Sequence, residues 1–261
     1  NIEYQDKVKE YLSQGLNYAT STNKAFEDLT SIKVDTPNDL LALSYIKQIK
    51  KHNYPIKYIN IKRTTSYHGS EVLYNITSAS NIRKLYLSDN SIENLIPFDK
   101  KYLYKIDMNK YYNILKYKIL AEDTSISKYQ TVDEGIESRI IKSIYISNNY
   151  EELIQNIKTK RYTYNKISRM LLHILVGFTK KDASNISIDY IRVLGFTRRG
   201  QEYLNKIKKE LSIPLVIGYK KNISKILDIE LKATKIYALV TDMSLIKREY
   251  QTKPIIKENN D

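Results

Sequence analysis

The sequence predicts a mixed α/β protein that is mostly helical. Two observations carry this: apolar residues recur at helical spacing almost throughout 99–181, and two short β-rich runs, 190–196 and 213–217, bracket a helical stretch. Residues 3–17 read as a first helix. A second begins at Thr36-Pro37-Asn38-Asp39, with Thr36 as N-cap, Pro37 as first helical residue and Asp39 as capping-box partner. Leu40, Leu43, Ile46 and Ile49 form its apolar stripe. Pro55 separates it from Ile56-Lys57-Tyr58-Ile59-Asn60-Ile61, which reads as a strand, so that helix and strand resemble the late half of an α/β unit. Thr77-Ser78 offers N-caps for a short helix through Ile82 and Arg83. Helices are then expected at 99–121, 133–146, 150–158 and 163–177. After these come a strand at 190–196, a helix at 199–211, a strand at 213–217 and a last helix at 229–240. The β-α-β order favours parallel strands joined by a right-handed crossover.

The 261 residues are enough to bury a substantial core, and no apolar run approaches the length of a membrane span. Cysteine is absent, which excludes disulfides, thiolate metal sites and a cysteine nucleophile, and fits a reducing, cytoplasmic address. Three scattered histidines argue against a histidine metal centre. The net charge of +14 points to a polyanionic partner. That excess is local: residues 1–40 are net acidic, whereas 41–120 and the remainder carry it. Tyrosine is abundant at 24 residues, but with Lys, Ile and Asn abundant too this is a compositional bias and poor evidence of base stacking.

Three groups of residues could carry chemistry. In Ser78-Ala79-Ser80-Asn81-Ile82-Arg83, a helix N-terminus offers free N–H groups to an anion, and Arg83 lies one turn beyond Ser80, so hydroxyl and guanidinium can meet on one phosphate. A plain N-cap followed by an exposed arginine explains the same six residues. Lys62-Arg63 ends the expected strand, where α/β sheets bind ligands, and Asn38 in the first turn of its helix could reach a base or ribose. A solvated charge pair and an ordinary helix start account for these equally well. The third group is a run, 153–181, that holds Lys158, Lys160, Arg161, Lys166, Arg169, Lys180 and Lys181 and no acid. Ile167, Met170, Leu171, Ile174 and Leu175 mark the buried side of its helix, leaving Tyr162, Lys166, Arg169 and His173 on another stripe. Such a face suits RNA phosphates, with Tyr162 available to stack on a base. A merely solvated face usually mixes signs. Residues 40–70 form a second acid-free stretch. No Walker loop, nucleophile elbow, kinase set or zincin helix is present, and no carboxylate pair stands out.

The order of several motifs resembles the bacterial tRNA(Met) cytidine acetate ligases. They are Pro37-Asn38-Asp39-Leu40-Leu41-Ala42, Ile61-Lys62-Arg63, Tyr67-His68 and the Ser78–Arg83 stretch, then Glu134-Gly135-Ile136-Glu137-Ser138-Arg139. Lys158-Thr159-Lys160-Arg161-Tyr162-Thr163-Tyr164, Arg169-Met170-Leu171-Leu172-His173, Ile191-Arg192-Val193-Leu194-Gly195-Phe196 and Ala233-Thr234-Lys235-Ile236-Tyr237 follow. The resemblance implies a partial Rossmann-like nucleotidyltransferase half-domain at 1–98, a helical tRNA-binding domain at 99–185 and a small C-terminal β-α-β unit at 186–261. It implies an enzyme that uses ATP, with Mg2+ carried on the nucleotide, to activate acetate as acetyl-adenylate. The enzyme then acetylates N4 of the wobble cytidine, C34, of elongator tRNA(Met). On this reading Asn38, Arg63, Ser80 and Arg83 contact ATP, while Lys158, Lys160, Arg161, Tyr162, Lys166 and Arg169 contact tRNA; no membrane and no resident metal are expected.

The chain departs from the family pattern in one major respect. The family opens with a glycine-rich strand and a His-x-Gly-His motif that cradles the ATP phosphates; here His68-Gly69 is the only His-Gly pair, in another context. The expectation is therefore a chain truncated at its N-terminus relative to the family, binding tRNA but inactive in adenylation by itself. Asp39 and Ala42 stand where relatives often have Asn and Gly. Two other functions compete: a nucleotidyltransferase acting on a small metabolite through Ser80 and Arg83, and a non-catalytic RNA-binding module.

Overall fold

The computed structural model describes residues 2–34, 36–61, 69–133, 135–184 and 186–258. They form two units, 1–105 and 106–261. The mixed, mostly helical character expected from the sequence is what the chain adopts.

In the first unit, α1 (Ile2–Ser13) and α2 (Tyr18–Thr30) pack on each other and bury Val8, Ser21 and Ala25. Gly15, at φ +81°, makes the turn between them in a conformation that a side chain would disfavour. The sequence pattern does not announce the second of these helices, because Thr20, Ser21, Thr22 and Thr30 are weak helix formers. Asn17 compensates by accepting the Thr20 N–H at 3.0 Å, and Ala25 is sealed against α1. α3 (Pro37–Lys51) starts as expected: Thr36 Oγ1 accepts the Asp39 N–H at 3.2 Å and donates to Asp39 Oδ2 at 2.7 Å. α4 (Ala79–Leu87) follows its N-cap Ser78.

The strand expected at Ile56–Ile61 does not form. Residues 54–61 are irregular and exposed along their whole length, and both two-stranded sheets among the described residues lie in the second unit. A β-prone run becomes a strand only when a neighbour takes up its N–H and C=O groups, and no ladder partner is hydrogen-bonded to this one among the described residues.

The second unit is built around α5 (Asn109–Glu122), α6 (Ile136–Ile146), α7 (Tyr150–Ile157) and α8 (Tyr164–Val176). Their apolar stripes meet in one core that includes Leu115, Ile119, Ile140, Ile144, Leu153, Ile154, Ile157, Ile167, Met170 and Ile174. The helix expected from residue 99 begins ten residues later: Asp99 caps a separate 3-10 turn at Lys100–Tyr102, and Asp107 Oδ1 accepts the Asn109 N–H at 2.9 Å. α8 stops at Gly177, whose φ of +74° lets its N–H reach back to His173 O and Ile174 O.

The chain then continues through α9 (Lys180–Ser184), β1 (Ile191–Arg192), β2 (Gly195–Thr197), α10 (Arg198–Ile207), β3 (Leu215–Val216), α11 (Lys225–Ala238), α12 (Ser244–Gln251) and β4 (Ile255–Lys257). The expected β-α-β is present, since β1 pairs parallel with β3 in the register Ile191 to Leu215. The first β-rich run is broken at Val193-Leu194, however, and its second half, β2, pairs with β4, again in parallel. Gly195 and its partner Ile255 are too far apart in the chain for any local pattern to signal the pairing. Glycine is required there: a Cβ at position 195 would stand 2.7 Å from Ile255 O. α11 joins this part to the helical core, with Ile236 and Val240 packed on it and Tyr111 donating to Tyr237 O at 3.2 Å.

Candidate functional site

In the first unit the start of α4 is fixed by a small polar network. Ser78, buried, accepts the Asn81 N–H at 3.1 Å and donates to Gly69 O at 3.2 Å. Asn81 donates to Ser70 O at 3.1 Å and Thr77 Oγ1 at 3.0 Å, and Thr77 donates to Glu71 O at 2.7 Å. Residues 69–71 are thereby tied to the first turn of α4, so Ser78 and Asn81 are structural. Ser80 and Arg83 face solvent from the same turn, where Arg83 Nη2 donates to Ser80 Oγ at 3.2 Å. A hydroxyl, a guanidinium and a helix N-terminus at one point can hold a phosphate. Asn38 is exposed in the first turn of α3, and no hydrogen bond joins it to Ser80 or Arg83 among the described residues. Lys62, Arg63, Tyr67 and His68 lie outside the described residues.

In the second unit the acid-free run wraps the start of α8. Lys158, Lys160, Arg161, Lys166 and Arg169 are all exposed, while Ile167, Met170, Leu171, Ile174 and Leu175 are buried as expected. Tyr162 departs from expectation. It is only 7% exposed and donates to Asp133 O at 3.0 Å, with Lys166 Nζ 4.2 Å above its ring, so it offers no open face for a base. Its main chain and Thr159 close the turn between them, Tyr162 N to Thr159 Oγ1 at 3.0 Å and Thr159 N to Tyr162 O at 3.2 Å. The ring is a brace for the loop that carries Lys160 and Arg161. His173 is half-buried, its Nδ1 2.9 Å from Gln130 O and 3.1 Å from Thr131 Oγ1. Lys180 is anchored on Val132 O and Asp133 Oδ1, both at 2.8 Å.

Arg139 of α6, the last residue of the Glu134–Arg139 motif and given no role by it, orders this loop from behind. Its Nε donates to Ile157 O at 2.8 Å and its Nη2 to Asn156 O at 2.9 Å and Lys158 O at 3.3 Å. These are carbonyls left open by the end of α7, and a cation there also meets the negative end of the helix dipole. Nothing local in the sequence signals this interaction, which links residues of two different helices. Among the described residues no group of three His, Asp or Glu side chains is placed to hold a metal ion, and no helix is long and apolar enough to cross a membrane.

Comparison with known proteins bears on both regions. The HIGH Nucleotidyl Transferase family model matches residues 1–253. The chain is 33% identical over 278 residues to the tRNA(Met) cytidine acetate ligase of Anoxybacillus flavithermus, covering 97% of this chain and 69% of that protein. It is 32% identical to the enzyme of that name from Clostridium perfringens, with the same coverage, and 32% identical to that of Bacillus subtilis over 90% of this chain and 62% of the relative. Among solved structures the fold is similar to Thermotoga maritima TmcAL in its apo form, with a TM-score of 0.79 and 22% identity. It is also similar to TmcAL bound with alpha-thio ATP, at 0.75 and 21%. In each case 99% of this chain and 71% of that one are covered.

Proposed function

The chain belongs to the HIGH nucleotidyl transferase family and, within it, to the tRNA(Met) cytidine acetate ligases, and from that premise we propose that it serves an ATP-dependent acetylation of N4 of cytidine C34 in elongator tRNA(Met). Acetate attacks the α-phosphorus of ATP, the bond to pyrophosphate breaks, and acetyl-adenylate forms. The cytosine amine then attacks the acyl carbon, AMP leaves with the bonding pair, and N4 gives up a proton. Mg2+ would accompany the nucleotide and help to neutralise the charge of its phosphates. Asn38, Arg63, Ser80 and Arg83 are the residues we assign to ATP, with Ser80 and Arg83 on its phosphates; their convergence at 3.2 Å supports this. Lys158, Lys160, Arg161, Lys166 and Arg169 are assigned to the tRNA backbone, and Tyr162 holds their loop in place.

The observation that carries the RNA reading is the exposure of five cations on one acid-free segment whose apolar side is fully packed. A face that merely keeps a helix soluble needs no such segregation of sign. Reversing Lys166 and Arg169 to Glu should weaken tRNA(Met) binding at least ten-fold and flatten its dependence on salt, by about 0.7 to 0.9 in log–log slope for each phosphate no longer neutralised. An unchanged slope would return the face to ordinary surface.

The 261 residues contain no His-x-Gly-His run, the group that would hold the ATP phosphates as charge builds during adenylation. We therefore assign to this polypeptide, taken alone, tRNA binding with little acetyl-adenylate synthesis. Pyrophosphate release from ATP and acetate should stay near background; robust turnover would refute this.

A further inference from the structure

Three helices that are distant in the chain bring two lysine ammonium groups to one point of the second unit. A Cβ built on Gly177 would stand 2.7 Å from Lys232 Nζ, on α11, and 3.2 Å from Lys118 Nζ, on α5. The two nitrogens are therefore separated by no more than the sum of those distances. Glycine suits this place for its φ of +74°, and its missing side chain leaves the space between the two ammonium groups open.

The local charges do not balance. Glu122 is the one carboxylate within ion-pair distance of either lysine among the described residues, and it is already committed. Lys128 Nζ lies 2.8 Å from it, and the Tyr129 hydroxyl donates to both of its oxygens at 2.6 and 2.7 Å. Lys118 Nζ reaches it only at 3.9 Å and rests 5.1 Å above the Tyr129 ring. Lys232 has no carboxylate within ion-pair distance among the described residues. Burial, with the Lys232 and Lys128 charges beside it, holds the Lys118 pKa below the usual lysine range against the pull of Glu122. Lys118 and Lys128 thus share one carboxylate and Lys232 has none in ion-pair range among the described residues, at the carbonyl end of α8, whose dipole favours cations.

The place of this cluster relates it to the basic face. Gly177 continues the row that runs through Lys166, Arg169 and His173 on α8, and it lies about 12 Å beyond Arg169 along the helix axis at 1.5 Å per residue. We infer that Lys118 and Lys232, converging over Gly177, form an anion site that takes a phosphodiester of the bound RNA and extends the binding surface past the C-terminus of α8. A phosphate held by both nitrogens would offset their mutual repulsion. This rests on the reading of α8 as an RNA-binding face.

The test measures binding of tRNA(Met) to the chain across a salt series, in the parent, in Lys118→Gln/Lys232→Gln, in Lys232→Arg and in Lys166→Gln/Arg169→Gln. The site predicts that Lys118→Gln/Lys232→Gln weakens binding on the order of five- to ten-fold and lowers the log–log salt slope by about one, while Lys232→Arg keeps both near parental values. The melting temperature of the pair variant should be equal to the parent's or higher, since like charges have been removed; a lowered one would mark the pair as structural and overturn the site. Parental affinity and slope in the pair variant, with binding weakened in Lys166→Gln/Arg169→Gln, overturn the site and leave the α8 reading standing. Weakening in the pair variant alone keeps an anion site at Lys118 and Lys232 but overturns its reading as an extension of the α8 face.

Discussion

Ile154 and Ile61 are the same side chain in opposite circumstances. Ile154, on α7, has no exposed surface and is surrounded by the stripes of α5, α6 and α8, whereas Ile61, in the first unit, is 91% exposed at the end of an irregular run. The contrast holds across the regions they stand in. Helices α5 to α8 bury a continuous apolar core, while among the described residues of 1–105 the buried apolar side chains are Val8, Ala25, Val34 and Ile92. There Ile59 and Tyr74 project into solvent, and no described residue of α3 is buried. Apolar content does not make a core; stripes have to find each other, and helices joined by short connections do so most readily.

Cutting the two isoleucines back gives the largest separation. Ile154→Ala should cost about 2–5 kcal/mol through reduced burial and a residual cavity, whereas Ile61→Ala should stay within about 0.5 kcal/mol. Denaturant melts read both, and equal losses would erase the contrast. A sharper probe lies at the edge of the core, where Arg139 holds three carbonyls at the end of α7. Arg139→Ala should cost about 1–2 kcal/mol, and it should also weaken tRNA binding, because the loop with Lys158 and Lys160 loses its backing. Arg139→Lys should not restore that affinity, since one ammonium cannot reproduce the fork; full rescue would show that charge alone suffices. The smallest effect is in acid. Bonds from the Thr179 hydroxyl and N–H, with Lys225 beside it, hold the Asp182 pKa down to about 2. A carboxyl depressed on folding stabilises above its unfolded pKa near 4, and that contribution fades as pH falls toward 2. The second unit should therefore lose part of its stability across that window, and Asp182→Asn should make the loss shallower in pH-dependent melts.

The same contrast explains what could be read in advance. The ends of α6, α7 and α8 fall within a few residues of expectation because their caps, Asn149 and Gly177 among them, and their 3.6-residue periodicity are written locally. The Thr36 cap of α3 and the Ser78 cap of α4 were legible for the same reason. Ser80 and Arg83 meet as their one-turn spacing requires. Expectation failed where partners are remote. Ile56–Ile61 has the composition of a strand without a ladder, α2 is held by its cap and by α1 in spite of its composition, and β4 exists through β2. In the candidate site the basic residues are visible as a run without acids, but nothing in the type of Tyr162 tells that its ring is covered. Its burial depends on Asp133 and Lys166, and the meeting of Lys118 with Lys232 depends on how three helices cross.

The pairing of Gly195–Thr197 with Ile255–Lys257 has a consequence for biosynthesis. A ribosome releases the first of these strands long before it has made the second, so the earlier one must wait, unpaired, while α10, α11 and α12 emerge. The stripes of α5 to α8 need no such wait and can meet as soon as α8 is out, with Ile236 and Val240 added to their core later. Nascent chains of this protein should thus pass through an interval in which the core is already protected from proteases and the segment around Gly195 is still open to cleavage.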